Sequence, residues 1–149
     1  MVEQIENVIA LFKEKHIDND VVVELQETLE LYKLEKTSET LIPIVKILEH
    51  LLEIRYDDNE ECKTWLRKNG RKKTFKSLLD YCYFEKGIDE KEYVFIDRVR
   101  ELRNRKTHDV AFYRTPEEID EAIVIGVSSI SKFMALAYPQ LLDHQSLSV

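Results

Sequence analysis

Arg103-Asn104-Arg105-Lys106-Thr107-His108 puts an arginine, an amide and a histidine within one and a half helical turns. Arginine grips phosphate with two parallel hydrogen bonds, and histidine moves protons near neutral pH. Arg103 and His108 are therefore the candidate catalytic pair, with Asn104, Arg105 and Lys106 as candidate substrate-binding residues. The same six residues also suit a bare helix C-terminus, where cations meet free carbonyls and the negative end of the dipole.

The elements around the segment decide between these readings. Asp89 opens the helix that carries it. At about 100° per residue, Ile96, Val99 and Leu102 form the buried arc, Arg103 falls between Ile96 and Val99, and Lys106 lies close by. A charge on an apolar arc must meet a carboxylate, a wet groove or an anion, because burying it alone is costly. Asp97, Glu101 and Arg105 are expected to face solvent. Positions 103 and 108 diverge by about 140° in an unbroken helix. They share one site in a chain only if the helix ends or unwinds near Thr107.

The other elements read as helices too. Three Gly and three Pro in 149 residues, with abundant Leu, Ile, Val, Glu and Lys, favour an all-α chain. The expected architecture is one domain, 1–149: an antiparallel bundle of about four long helices joined by short ones, with 139–149 as a flexible tail. Val2, Ile5, Ile9 and Phe12 define a first stripe. Asp18 or Asp20 caps a second helix with Val22, Leu25, Leu29 and Tyr32 on one face, and the β-branched run Val21-Val22-Val23 is assigned to it. Ser38 starts a central helix, with Pro43 in its first turns. There Glu49, His50 and Glu53 interrupt the apolar surface, and Glu49 is the candidate to face an active cleft.

Asn59 opens a short helix ending at Gly70, and residues 75–85 form another ended by Gly87. Pro116 starts a last long helix whose Gly126, Ser128, Ser129 and Ser131 permit close helix approach, within the fold or in a dimer. Pro139 stops it.

Net charge is −7, against a general nucleic-acid coat, but its distribution is uneven: −10 over residues 1–62, +7 over 63–114 and −4 over 115–149. The positive third holds the motif. Its Arg67, Arg71, Lys72 and Lys73 form a candidate RNA-contact patch, though such a run is also what a solvated face looks like. No run is long and apolar enough for a membrane span, and the acidic first residues do not read as a secretory signal. Cys62 and Cys82, isolated, are expected to be reduced thiols in a cytoplasmic protein. His16, His50, His108 and His144 lack ligand spacing, so no metal and no cofactor is expected.

The segment VRELRNRKTHD, followed by a short loop, TPEEIDEA and a long apolar helix, resembles the HEPN superfamily. That family's mark is an Arg, usually followed by a polar residue, then a His after four to six intervening residues. Arg103, Asn104 and His108 match it with four. The apolar helix IVKILEHLLEIRY and the short helix TFKSLLDYC are arranged as in that family, and the likeness covers the chain from about residue 40. One position departs. The branch paired with nucleotidyltransferase antitoxins often has a Tyr two residues after the His, and here Val110 stands there.

The resemblance implies a metal-independent endoribonuclease working as a homodimer on single-stranded RNA. His108 would transfer protons, Arg103 would bind phosphate and stabilise developing charge, and Asn104 would orient either group or substrate. A two-fold dimer would bring two Arg–His sets to one cleft, giving both an acid and a base. Such an enzyme resembles a toxin or a phage-defence effector held by an antitoxin or another protein partner. Two other classes stay open: a non-catalytic module that binds RNA, nucleotide or protein, and a structural bundle whose last helix docks a partner.

Overall fold

The computed structural model describes residues 2–16, 18–34, 37–108 and 116–139, with the backbone course alone for 37, 38 and 104–108. The protein is all-α. Among the described residues it forms seven helices: α1 Val2–Glu14, α2 Asn19–Lys33, α3 Thr37–Tyr56, α4 Glu60–Lys68, α5 Phe75–Phe84, α6 Glu90–His108 and α7 Pro116–Ala137. The expected loop at 109–115 and the tail beyond Pro139 lie outside the described residues, as does His144. Among the described residues no helix is long and apolar enough to cross a membrane.

Local chemistry sets most boundaries. Asp18, in the left-handed region at φ 41°, caps α2 by accepting the Val21 N–H. Val21 and Val22 are buried with Leu25 and Thr28, so a helical stripe outweighs the strand preference of three valines. Asn59 caps α4, accepting the Cys62 N–H at 2.8 Å. Thr74 and Ser77 form a reciprocal capping box on α5. Asp89 and Glu92 do the same on α6: Asp89 Oδ1 accepts the Glu92 N–H at 2.8 Å, and Glu92 Oε1 accepts the Asp89 N–H at 3.0 Å.

Two expectations change. Thr37, not Ser38, opens α3, so Pro43 stands seven residues in, past the first turn. A regular helix would supply an N–H to the Glu39 carbonyl there, and proline has none. Gly87 is not the left-handed residue that ends α5: Lys86 takes that conformation at φ 67°. The Gly87 N–H closes the motif on the Cys82 carbonyl at 2.8 Å. Gly87 is required for closeness, since a Cβ there would lie 2.9 Å from Cys82 Sγ. Gly70, by contrast, does end α4 at φ 61°.

α3 is the centre of the bundle and packs against α2, α5, α6 and α7. Leu41, Ile44, Val45, Ile47, Leu48, Leu51 and Leu52 on it are all buried. Gly126 of α7 is where three helices meet: a Cβ there would lie 2.5 Å from Ile44 Cγ2 and 3.8 Å from Val99 Cγ1. Gly87, just before α6, lies beside Tyr56 at the far end of α3. Hence α6 runs antiparallel to α3. Tyr138, just past α7, donates to Asp18 Oδ2 at 3.0 Å, and His50 Nε2 meets the same oxygen at 2.7 Å. This contact ties the end of α7 to the starts of α2 and the middle of α3. Burial and the Asp18 bond push the Tyr138 hydroxyl up to about 12.

Candidate active site

The motif helix faces α3 and α7 through Ile96, Val99 and Leu102, each no more than 2 % exposed. Arg103 follows on the same arc. It is half-buried, and its Nε lies inside the protein. Glu49 of α3, also half-buried, feels the Arg103 charge. Burial pushes the Glu49 carboxyl above its ordinary range, the neighbouring Glu53 adds to this, and Arg103 opposes both. The fold thus brings the Arg103 charge within electrostatic reach of a carboxyl on α3.

α6 stays helical through Thr107 and ends at His108. Positions 103 and 108 therefore diverge by about 140° around one axis. A site using both must wrap the helix end instead of lying on one face. The side chains of Asn104, Arg105, Lys106 and His108 lie outside the described residues.

The basic patch is more neutralised than its residue count suggests. Arg71 donates to Asp80 at 2.5 Å and Lys73 to Asp57 at 2.8 Å. Arg67 and Lys72 are exposed, and Arg67 also donates to Thr64 Oγ1 at 3.3 Å. The patch sits around α4 and the turn into α5, and a polar ladder links it to the motif helix. Asp80 accepts from Arg71 and from the Tyr93 hydroxyl. Lys76 bonds Tyr93 at 2.8 Å and Asp97 at 3.0 Å, and Asp97 accepts from Arg100 Nε at 2.9 Å. Asp97 is thus not a solvent residue but the joint between α5 and α6. The pairs Lys76–Asp80 and Asp97–Arg100 could have been found by their helical spacing, but the bond across the helices could not.

The ladder has a measurable pH signature. Burial pushes Asp80 up, but Tyr93, Arg71 and Lys76 together hold it below the ordinary carboxylate value. A depressed folded pKa contributes stability above the unfolded value, about 3.9, and loses it as pH falls through the folded one. Asp80→Asn is expected to cost about 1–3 kcal/mol at pH 7. Urea midpoints at pH 7 and pH 3 check this: the gap to wild type should close in acid.

No family model, curated protein or solved structure matches this chain. The site is therefore read from its own geometry. One feature missing from the sequence-level candidates is a groove between α4 and α5, walled by Trp65, Tyr81 and Phe84. Its signal was present in the exposed apolar end of α5, where Phe84 is 63 % exposed.

Proposed function

We propose that this chain is a metal-independent endoribonuclease of the HEPN type, cutting single-stranded RNA as a homodimer in the cytoplasm. The observation that carries the reading is Arg103, a half-buried arginine on the inner arc of α6 whose charge acts on the half-buried Glu49 carboxyl, with the motif His at the helix end. A guanidinium held in this way is oriented before substrate arrives, which is what charge stabilisation in a transition state requires.

In the proposed step, a 2′-hydroxyl oxygen attacks the adjacent phosphorus. A base takes its proton, the bond from phosphorus to the 5′-oxygen breaks, and an acid protonates that oxygen. The products carry a 2′,3′-cyclic phosphate and a 5′-hydroxyl. Arg103 binds the non-bridging oxygens, and Glu49 orients Arg103. One His108 of the dimer acts as base and the other as acid, with Asn104, Arg105 and Lys106 holding the RNA strand. Unchecked, this activity harms its own cell, so an inhibiting protein such as an antitoxin and a role in defence follow.

A second reading draws on the continuous helix from Glu90 to His108. With positions 103 and 108 turned apart, the pair would bind a nucleotide or a protein partner without cutting. The test is incubation with single-stranded RNA in excess EDTA, with Arg103→Ala and His108→Ala beside wild type. Cleavage lost in both variants supports the ribonuclease. Tight RNA binding without cleavage supports the second reading, and equal cleavage by all three proteins overturns the assignment.

A further inference from the structure

We infer that the aromatic groove between α4 and α5 is a pocket for one guanine base of a single-stranded RNA. The choice of ligand rests on the ribonuclease reading above, but the groove is separate from Arg103. It encloses about 420 Å³. Tyr81 is buried and forms its floor, while Phe84 is largely exposed at its mouth. The Trp65 ring lies 5.6 Å from Phe84 and 5.5 Å from Tyr81, tilted by 34° and 56°, so the three make one aromatic cluster with Phe84 as its exposed member. An exposed aromatic wall of this kind is what single strands stack their bases on.

Charge selects among flat ligands. Glu60 and Glu61 line one end of the groove, and Lys68 lines the other. Along α4 those ends are about 10 Å apart, at 1.5 Å per residue. Carboxylates only accept hydrogen bonds, so they choose a base edge that donates. Guanine offers adjacent donors, its ring N–H and its exocyclic amine. A nucleotide carries that edge, a stacking face and a phosphate in linear order, and the groove offers acids, rings and a lysine in the same order. A basic peptide would suit the two glutamates and the rings. It would meet repulsion from Lys68.

Trp65 is the protein's single tryptophan, so its fluorescence reports on the groove alone. The full chain is titrated with guanosine, cytidine, adenosine and uridine monophosphates, then with short single-stranded RNAs with and without one guanine. Inner-filter loss is measured on free tryptophan. Saturable quenching, strongest with guanine, is expected. Phe84→Ala should weaken binding by about fivefold or more, as loss of a stacked ring does. Glu61→Gln should erase the preference for guanine, and Lys68→Ala should weaken the nucleotide more than the nucleoside. Phe84, Glu61 and Lys68 are exposed, so these variants keep the fold.

Quenching that none of the variants alters overturns the inference, as does tighter binding of an arginine-rich peptide than of any RNA. Arg103-dependent RNA cleavage without a Trp65 response also overturns it, while leaving the ribonuclease standing. A guanine-selective response in a chain that does not cut supports the pocket and removes the ribonuclease reading instead.

Discussion

Replacing Arg103 with alanine is expected to lower RNA cleavage by about 10²–10³-fold, the usual loss when one preorganised charge-stabilising donor is removed. The reasoning begins with burial. A solvated arginine could be replaced by a neighbouring cation, but Arg103 has its Nε inside the protein and its charge acts on the half-buried Glu49. Arg103 lies on the same arc as the buried Val99 and Leu102. Arg103→Lys keeps the charge and loses the paired donors, so it should recover only part of the rate. His108→Ala should cost about 10²–10⁴-fold through loss of proton transfer.

Because positions 103 and 108 diverge on one helix, the proposed dimer supplies a sharper test. In each single variant both subunits carry the same defect. After subunit exchange, a heterodimer holds one intact Arg103 and one intact His108 in the shared cleft, so it has a base or an acid but not both, and cleavage should stay low. Single-turnover rates on a labelled single strand in EDTA measure all of this. Wild-type rates on mixing, with dimers shown by sedimentation, would exclude a cleft that needs both His108 residues. Wild-type rates in Arg103→Ala would remove the guanidinium from the chemistry altogether.

Much of the fold was legible in the sequence because helix ends are local. Asp18, Asn59, Asp89 and Pro116 were each readable as boundaries, and each stands at one. The stripes were legible for the same reason, down to Ile96, Val99 and Leu102. What a wheel cannot give is the neighbour on the other side. Asp97 lies off the apolar arc, so periodicity turned it to solvent. The approach of α5 placed Lys76 3.0 Å away and drew it inward. Glu49 was the candidate to face a cleft, but that Arg103 acts on it depends on the position of α6. Gly87 was read only as the end of α5. The reason for glycine there is contact with Cys82, which no spacing within the segment reveals. The groove around Trp65 was hidden in the same way, since its walls come from two helices.

The meeting of α3, α6 and α7 at Gly126 gives the largest expected effect on stability. Ile44→Ala is expected to cost about 2–5 kcal/mol, the range for emptying a fully buried aliphatic site. A domain of this size holds about 5–15 kcal/mol in all, so that loss is severe. Gly126→Ala sets two effects against each other. Alanine in a helix interior gains about 1 kcal/mol over glycine. The new Cβ, however, would stand 2.5 Å from Ile44 Cγ2. Ile44 is branched at Cβ and nearly locked in one rotamer on a helix, so its methyl cannot swing away. Overpacking of this kind costs about 1–3 kcal/mol, so the net change should be destabilising.

The double variant separates these terms. With Ile44→Ala the methyl is gone, the added Cβ occupies part of the space it left, and the helix-propensity gain survives. Ile44→Ala with Gly126→Ala should therefore be more stable than the two single losses predict, by about 1–3 kcal/mol of coupling. Urea midpoints of the four proteins, compared at a common slope, read that coupling directly. A strictly additive cycle would mean that α7 slides to relieve the contact. A Gly126→Ala protein more stable than wild type would mean that α3 and α7 do not approach this closely at all.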